Sequence, residues 1–540
     1  MSRILAPLLA GALVACGSAS RPPPRAPAAS ASPGVDIVAA RALSRTQGFE
    51  WLPYDAKSFA KAKAERRYIL LDGAAEWCHW CHVMDETTYR DPEIGRLLRE
   101  KFVAIRIDVD ARPDLEERYG EWGWPATILL SPDAEELGKF RGYLEPERLR
   151  AALGAITTAT PVGGAPPPAL ADKPATVEAL PWIAARASLD LDGWYDAKQG
   201  GWGATQKAPL GANVEFEVLR AQHGDAAARA RVAFTLDHQR ALIDPVWGGV
   251  YQYSAGTDWT APHFEKLMTV QAAAVEASAR AFALTGEPRM LADARAVEHY
   301  LTTFLSAPDG RFYTNQDADV GAHEPNGAFV DGHVFYAKDD AGRRALGMPW
   351  IDRHVYGREN GLAIAALCTL QEVTHDAALL ARVRSSLDAL LASHVLADGT
   401  VLHDPDKRDE PYFLADSAAV ARALGRVAEV THDAKYVAEA RKVAAKLLER
   451  FEEPSTGALL PVTVDANAAG VFGRREPSLP NVVVAARALG ALGRATGEPT
   501  WKERARKLLA AAASPKSVDA QGRWLGELLV ALDEVGAVSW

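Results

Sequence analysis

A chain of 540 residues is longer than one hydrophobic core organises, and at roughly 100 to 200 residues per domain it calls for at least two. Hydrophobic residues at 48% and charged residues at 24% are ordinary for a folded soluble chain and exclude disorder or a fibrous fold for most of the length. A formal charge of −10 supplies no basic surface to neutralise phosphates, which excludes nucleic acid and leaves small molecules, glycans and proteins as partners.

Residues 1–16, MSRILAPLLAGALVAC, place one Arg before an apolar stretch far short of the roughly 20 residues that span a bilayer, the pattern of a signal peptide. Its end, Leu13-Val14-Ala15-Cys16 followed by Gly17, resembles a bacterial lipobox, so Cys16 is the expected site of lipidation and the anchor. Residues 17–35 are Pro, Ala and Ser with almost no large apolar side chain and read as an extended tether. A second break of like composition at 157–176 divides the remainder into a domain at 36–156 and one at 177–540, expected to fold independently.

The first domain reads as an α/β thioredoxin-like fold. The run Tyr68-Ile69-Leu70-Leu71 has the length of a buried strand and leads directly into Cys78-His79-Trp80-Cys81-His82, the order strand, Cys-x-x-Cys, helix. FVAIRIDV at 102–109 predicts another strand, and 126–130 a third, introduced by Gly123-Trp124-Pro125, where Pro125 matches a cis-proline facing the dithiol. A thiolate at a helix N-terminus beside a hydrogen-bonding neighbour has a lowered pKa, which makes Cys78 the attacking thiol, Cys81 the resolving one and His79 the stabilising neighbour. Asp72, six residues before Cys78, is the candidate proton acceptor. Cys-x-x-Cys-His is also a haem-attachment signature, and a structural disulfide is a further alternative; no cofactor and no metal site are expected. Cys368 lies in an apolar helical run and reads as a core residue.

From 177 onward, helical patterns alternate with two kinds of turn. Gly-containing segments recur at Gly200, Gly248, Gly310, Gly399, Gly457 and Gly522, and short turns with Thr285-Gly286, Thr374-His375, Thr431-His432 and Thr496-Gly497 stand opposite them. Helical hairpins in that number can close into an all-α, six-hairpin α/α toroid whose longer connections line the mouth of a central cavity. The residues expected there are Asp196, Trp202, Lys207, Trp259, His263, Glu265, Asp317, Asp319, Asn360, Tyr412, Asp416 and Asn481.

Taken together, CHWCHVM at 78–84, IDVDARPD at 107–114, Gly123-Trp124-Pro125, Pro262-His263-Phe264-Glu265-Lys266, Gln316-Asp317-Ala318-Asp319, Asn360-Gly361-Leu362 and the 478–481 segment resemble the spermatogenesis-associated protein 20-like family. That resemblance implies a thioredoxin domain joined to a six-hairpin, glycosidase-like toroid. After PHFEK the family usually continues with Tyr-Asp, whereas here Thr269-Val270-Gln271 follow, which removes a carboxylate and weakens a carbohydrate reaction. Asp72 stands where the family often has a small polar residue, which strengthens a redox one.

The leading expectation is an extracytoplasmic thiol-disulfide oxidoreductase whose toroid recruits a protein client or a glycan. A carbohydrate-active or glycan-binding protein using His263, Glu265, Asp317 or Asp319, and a non-enzymatic envelope scaffold, are the alternatives; two glycosidase carboxyls must stand about 5 to 9.5 Å apart. Sequence does not give the oligomeric state. If Cys16 carries the anchor, Cys16→Ala moves the protein from the membrane to the soluble fraction on cell fractionation; a variant that stays membrane-bound with unchanged gel migration removes the lipoprotein reading.

Overall fold

The computed structural model of the protein describes residues 48–158, 173–323, 328–409 and 411–540. The signal segment with Cys16, the tether and most of the second break lie outside these residues. Among the described residues no helix is long and apolar enough to cross a membrane.

The first part is a five-stranded sheet of β1 (Leu52–Pro53), β2 (Tyr68–Ala74), β3 (Phe102–Asp108), β4 (Ala126–Leu130) and β5 (Glu136–Arg141), in the order β1-β3-β2-β4-β5. β3 runs parallel to β1 and β2, whereas β4 runs antiparallel to both β2 and β5. β2 is covered on both faces, which is why it reads as a continuous apolar run rather than an alternating one. Ile69 and Leu71 join a cluster that includes Cys78 and Cys81, while Leu70 joins Met84 and Tyr89 on the other side. Helix His79–Glu86 begins directly behind β2, capped by Cys78, whose Sγ accepts from the Cys81 amide at 3.1 Å. The Trp124–Pro125 peptide is cis, as the Gly-Trp-Pro element predicts.

The second part is a ring of helical hairpins. Six inner helices, Gly211–Gln222, Met268–Thr285, Gly357–Thr374, Leu414–Thr431, Leu479–Thr496 and Gly526–Glu534, each pack on the next, and the last packs on the first. Their sequences are apolar all round because they are enclosed: every residue from Leu414 to Ala428 is buried. The outer helices bury one stripe, as Tyr436, Ala440, Val443, Ala444, Leu447 and Phe451 do on Ala434–Phe451. Small residues set the inner spacing; a Cβ on Gly361 would lie 2.5 Å from the Ala419 carbonyl carbon. The repeated Thr-His-Asp turns have a local cause. Thr374 and Thr431 return hydrogen bonds to carbonyls one turn back, His375 and His432 adopt the left-handed conformation that ends each helix, and Asp376 and Asp433 cap the next one.

Charge fills the ring where the inner helices face one another. Arg487 holds Glu215 at 2.8 Å and Glu534 at 3.1 Å, and Arg422 holds Glu276 at 2.7 Å. Buried ions of this kind persist because each has a counter-charge. Lys266, the last residue of PHFEK, is of the same type: fully buried, it donates to Asp244 at 2.7 Å and to the Gly248 carbonyl at 2.8 Å, and Arg343 grips the same Asp244 through both of its oxygens.

The two parts interlock: the described residues of both belong to one compact unit. Phe472 of the toroid is buried in the thioredoxin core, 5.5 Å from the Tyr54 ring and 5.8 Å from that of Phe59. Gly470 makes the approach possible: at φ +52°, a Cβ there would sit 2.4 Å from the carbonyl oxygens of Asp133 and Ala134. Phe472→Ala should cost about 3–5 kcal/mol in denaturant unfolding, and after cleavage within 157–176 the fragments should co-elute on gel filtration. Asp244→Ala should destabilise by about 3–5 kcal/mol in the same measurement, because it strands two buried cations.

Candidate functional site

The dithiol lies at the seam between the two parts. Cys78 and Cys81 form a disulfide, and they are only 3% and 5% exposed because the toroid closes over the start of their helix. His79 Nδ1 meets Asp319 Oδ2 at 2.6 Å, and the His79 amide donates to Glu265 Oε1 at 3.4 Å. One turn along, His82 Nδ1 lies 3.8 Å from Asp317 Oδ2, which also takes His323 Nε2 at 3.0 Å. Residues of the first part's CHWCH run therefore meet those of the toroid's PHFEK and QDAD motifs directly.

The electrostatics of the two histidines differ. Burial works against charge on His79, but the hydrogen bond and charge of Asp319, with Glu265 and Asp331 behind them, outweigh it and push the imidazole up to about 9. His82 is pushed down to about 3 by burial and by the neighbouring His323. Burial raises Glu265 to about 7 against the opposing pull of His79, and raises Asp317 well above the usual carboxylate range with help from Asp319. His263, lowered to about 4 by burial and the charge of His79, stacks on Tyr253 at 4.2 Å and faces the Trp80 ring at 6.3 Å.

Behind the dithiol, Asp110 ties three segments together. Its Oδ2 accepts from Trp77 Nε1 at 2.6 Å and from Asn315 Nδ2 at 2.9 Å, and its carbonyl accepts from His403 Nε2 at 2.9 Å. Asp72 is buried with both oxygens engaged, one accepting from Tyr89 Oη at 3.0 Å and the other from Arg106 Nε at 2.8 Å. Arg106 is the residue paired with Asp72 across β2 and β3, and its guanidinium lies over Trp51 at 4.2 Å. Burial raises the Asp72 pKa while Arg106 opposes. As proton acceptor, Asp72 would act with that cation beside it.

The predicted cavity residues divide sharply. His263, Glu265, Asp317 and Asp319 gather around the dithiol helix. Others are held by partners of their own. Lys207 is fully buried and donates to Asp196 at 2.6 Å and to the carbonyls of Gly200 and Gly203, bracing the first Gly-Gly turn. Trp202 is core, and Trp259 is buried with Nε1 donating to the Gln199 carbonyl. Asn360 bonds both backbone groups of Phe312, Asp416 pairs with His403 while accepting from the Arg358 amide, and the Asn481 amide is capped by Ser478. Tyr412 donates to the Arg408 carbonyl at the periphery. Gln271, in the stretch where the family's Tyr-Asp pair is missing, bonds the backbone N–H and C=O of Val250. Sequence reasoning gave no role to His82, Asp110, Asn315, His323 or His403. His82 and Asp110 sit inside motifs already singled out; Asn315 and His403 meet Asp110 across more than 200 residues, and His323 lies just beyond the 316–319 motif whose Asp317 it contacts.

These carboxylates face histidines. Two groups among the described residues have ligand atoms within 4.8 Å of one another: His82, Asp317 and His323, and His79, Asp319 and Asp331.

Comparison with known proteins agrees with this architecture. Residues 42–158 match the family model of Thioredox_DsbH, described as a protein of unknown function, DUF255. Spermatogenesis-associated protein 20 of Homo sapiens is 30% identical over 317 residues, covering 50% of this chain and 39% of that protein. The chain thus spans about two fifths of that relative's length. A Pseudomonas aeruginosa protein named thiol:disulfide interchange protein DsbD 2 is 34% identical over 86 residues, 15% of this chain and 14% of that one. Among solved structures, cellobiose 2-epimerase from Spirochaeta thermophila superposes with a TM-score of 0.50 at 12% identity over 66% of this chain and 97% of its own, a likeness of fold alone. The chain is therefore similar to spermatogenesis-associated protein 20 over half its length, with a match to Thioredox_DsbH at 42–158, and its second part has the α/α toroid fold that the cellobiose 2-epimerase structure shares.

Proposed function

We propose that the protein is a thiol-disulfide oxidoreductase acting outside the cytoplasm, with Cys78 as the attacking thiolate and Cys81 as the resolving thiol. The observation that carries this reading is the His79–Asp319 pair at the N-terminus of the dithiol helix. An imidazole held charged up to about 9 beside Cys78 stabilises its thiolate, favours the reduced form and makes the disulfide more oxidising. Similarity of the first part to a thiol:disulfide interchange protein supports the reaction class.

In the reducing direction, the Cys78 thiolate attacks a substrate disulfide, forming a mixed disulfide and expelling one substrate thiolate. Cys81, deprotonated towards Asp72, then attacks the Cys78 sulfur, releasing the second thiol and leaving the Cys78–Cys81 disulfide; the reverse sequence oxidises a dithiol. Sulfurs so enclosed favour a small disulfide or an extended segment threading between Pro125 and the toroid over a folded client docking flat on the sheet edge. The carbohydrate alternative draws on Glu265, Asp317 and Asp319, and the thioredoxin helix lies against all three.

Cys78→Ser should abolish thiol-disulfide exchange with a small-molecule disulfide, and Cys81→Ser should accumulate the mixed disulfide on mass spectrometry. Wild-type exchange persisting in Cys78→Ser would refute the assignment. Asp319→Asn should raise the pKa of Cys78 in alkylation-rate titrations and make the couple more reducing, by about 30 mV for each tenfold change in its equilibrium constant. The pH dependence follows from the sign of the His79 shift. Its folded pKa of about 9 exceeds the ordinary 6.5, so the stability it contributes is complete below 6.5 and is lost as pH rises through 9. Asp319→Asn should therefore flatten the decline of stability between those values in pH-resolved denaturant melts.

A further inference from the structure

We infer that His82, Asp317 and His323 form a binding site for a divalent transition-metal ion, zinc by chemical class, that bridges the dithiol helix and the toroid beside Cys81. The three candidate ligand atoms come from two parts of the fold: His82 from helix His79–Glu86, and Asp317 and His323 from the segment following strand Asn315–Gln316. Asp317 Oδ2 lies 3.0 Å from His323 Nε2 and 3.8 Å from His82 Nδ1, and the donor atoms of the group all fall within 4.8 Å of one another. Tetrahedral zinc with bonds of about 2.0–2.1 Å separates its ligand atoms by roughly 3.3 Å, between the two distances seen.

The state of His82 supports the assignment independently of that spacing. Its Nδ1 is buried and makes no hydrogen bond among the described residues, although two carboxylates and a second imidazole surround it. The ring's bond to the backbone of Glu76 fixes the tautomer whose lone pair is on Nδ1. An imidazole anchored at one nitrogen by a backbone group, with the other aimed at a carboxylate and another imidazole, has the outer support that metal-bound histidines carry. The remaining ligands are held likewise. His323 stacks on Trp350 at 4.5 Å, the Asp317 amide donates to the Trp350 carbonyl at 2.8 Å, and Asp317 Oδ1 accepts from the Asp319 amide at 3.0 Å, which leaves Oδ2 facing the two imidazoles.

Two imidazoles and one carboxylate select a borderline ion over calcium or magnesium, which take oxygen ligands. Three protein ligands leave one tetrahedral position for water or a substrate group. The neighbouring group of His79, Asp319 and Asp331 carries no such assignment, since it has no counterpart to the unbonded His82 Nδ1: His79 meets Asp319 at 2.6 Å and Asp331 accepts from the His333 amide.

The test uses the full chain with Cys78 and Cys81 both replaced by Ser, so that thiolates cannot be the ligands and the outcome is separate from redox activity. After chelator treatment and dialysis, titration with Co2+ should give one equivalent of binding with visible d–d bands of a low-coordinate site, displaced by Zn2+. His82→Ala and His323→Ala should each weaken Zn2+ affinity by at least the order of a hundredfold that loss of supporting groups alone can reach, while His333→Ala, whose ring is exposed, should not. Zn2+ should raise the thermal midpoint of the parent and leave that of the more conservative His82→Gln unchanged. Absence of Co2+ uptake, or uptake unaltered in a folded His323→Ala protein, overturns the site.

Discussion

The organisation of this protein depends on one contact, the meeting of the dithiol helix with an acidic corner of the toroid at His79 and Asp319. A charged imidazole and a carboxylate at 2.6 Å, with the carboxylate almost fully buried, are worth keeping together only in company, because either one left alone in that setting bears a large desolvation cost. Neither part of the chain presents a satisfied surface here without the other. The same holds for Asp110, whose carboxylate joins Trp77 of the thioredoxin loop to Asn315 of the toroid. The seam is thus a polar network, closed at its edge by the apolar insertion of Phe472.

This placement changes the meaning of the dithiol. An isolated thioredoxin fold offers its nucleophilic sulfur at a surface, whereas here the sulfurs are enclosed and the helix in front of them is held by two carboxylate-bearing segments. Any approach to the sulfurs is therefore bounded by the toroid as well as by the sheet. It also explains why motifs from both halves, CHWCHVM, IDVDARPD, PHFEK and QDAD, are built of polar and aromatic residues in otherwise apolar settings: they are the two sides of one buried junction.

Much of the fold was legible because its causes are local. A continuous apolar run announces a strand covered on both faces, and the Thr-His-Asp turns announce helix ends because the Thr, His and Asp each do one short-range job. Cys78 with Cys81 was legible for the same reason. What sequence could not show is which polar residue meets which across hundreds of positions. Lys207 and Asp196 stood in the right turns and were read as lining groups, yet the lysine turns inward to brace its own loop. Lys266 looked like part of a reactive motif and serves as a buried strut on Asp244. His323 gave no signal although its partner Asp317 is six residues upstream, since a lone histidine does not mark which carboxylate it meets. Composition and periodicity report burial; the partner that makes a buried charge tolerable is a property of topology.

His79 and His82 show how far such context reaches. Three residues apart on one short helix, they lie on adjacent parts of one face and meet the same toroid segment. One has a carboxylate oxygen in hydrogen-bonding contact and is driven towards the charged form; the other has its carboxylate a further 1.2 Å away, from 2.6 to 3.8 Å, with a second imidazole beside it, and is driven towards the neutral form. Identical side chains thus become a fixed cation next to the first thiol and a lone-pair donor next to the second. Such a division requires Asp317 and Asp319 to be presented two residues apart at a fixed depth, which a flexible linker between independent domains would not provide. Contact with Asp319 on one side and burial beside His323 on the other are what drive the two histidines of the five-residue run Cys78–His82 towards opposite protonation states.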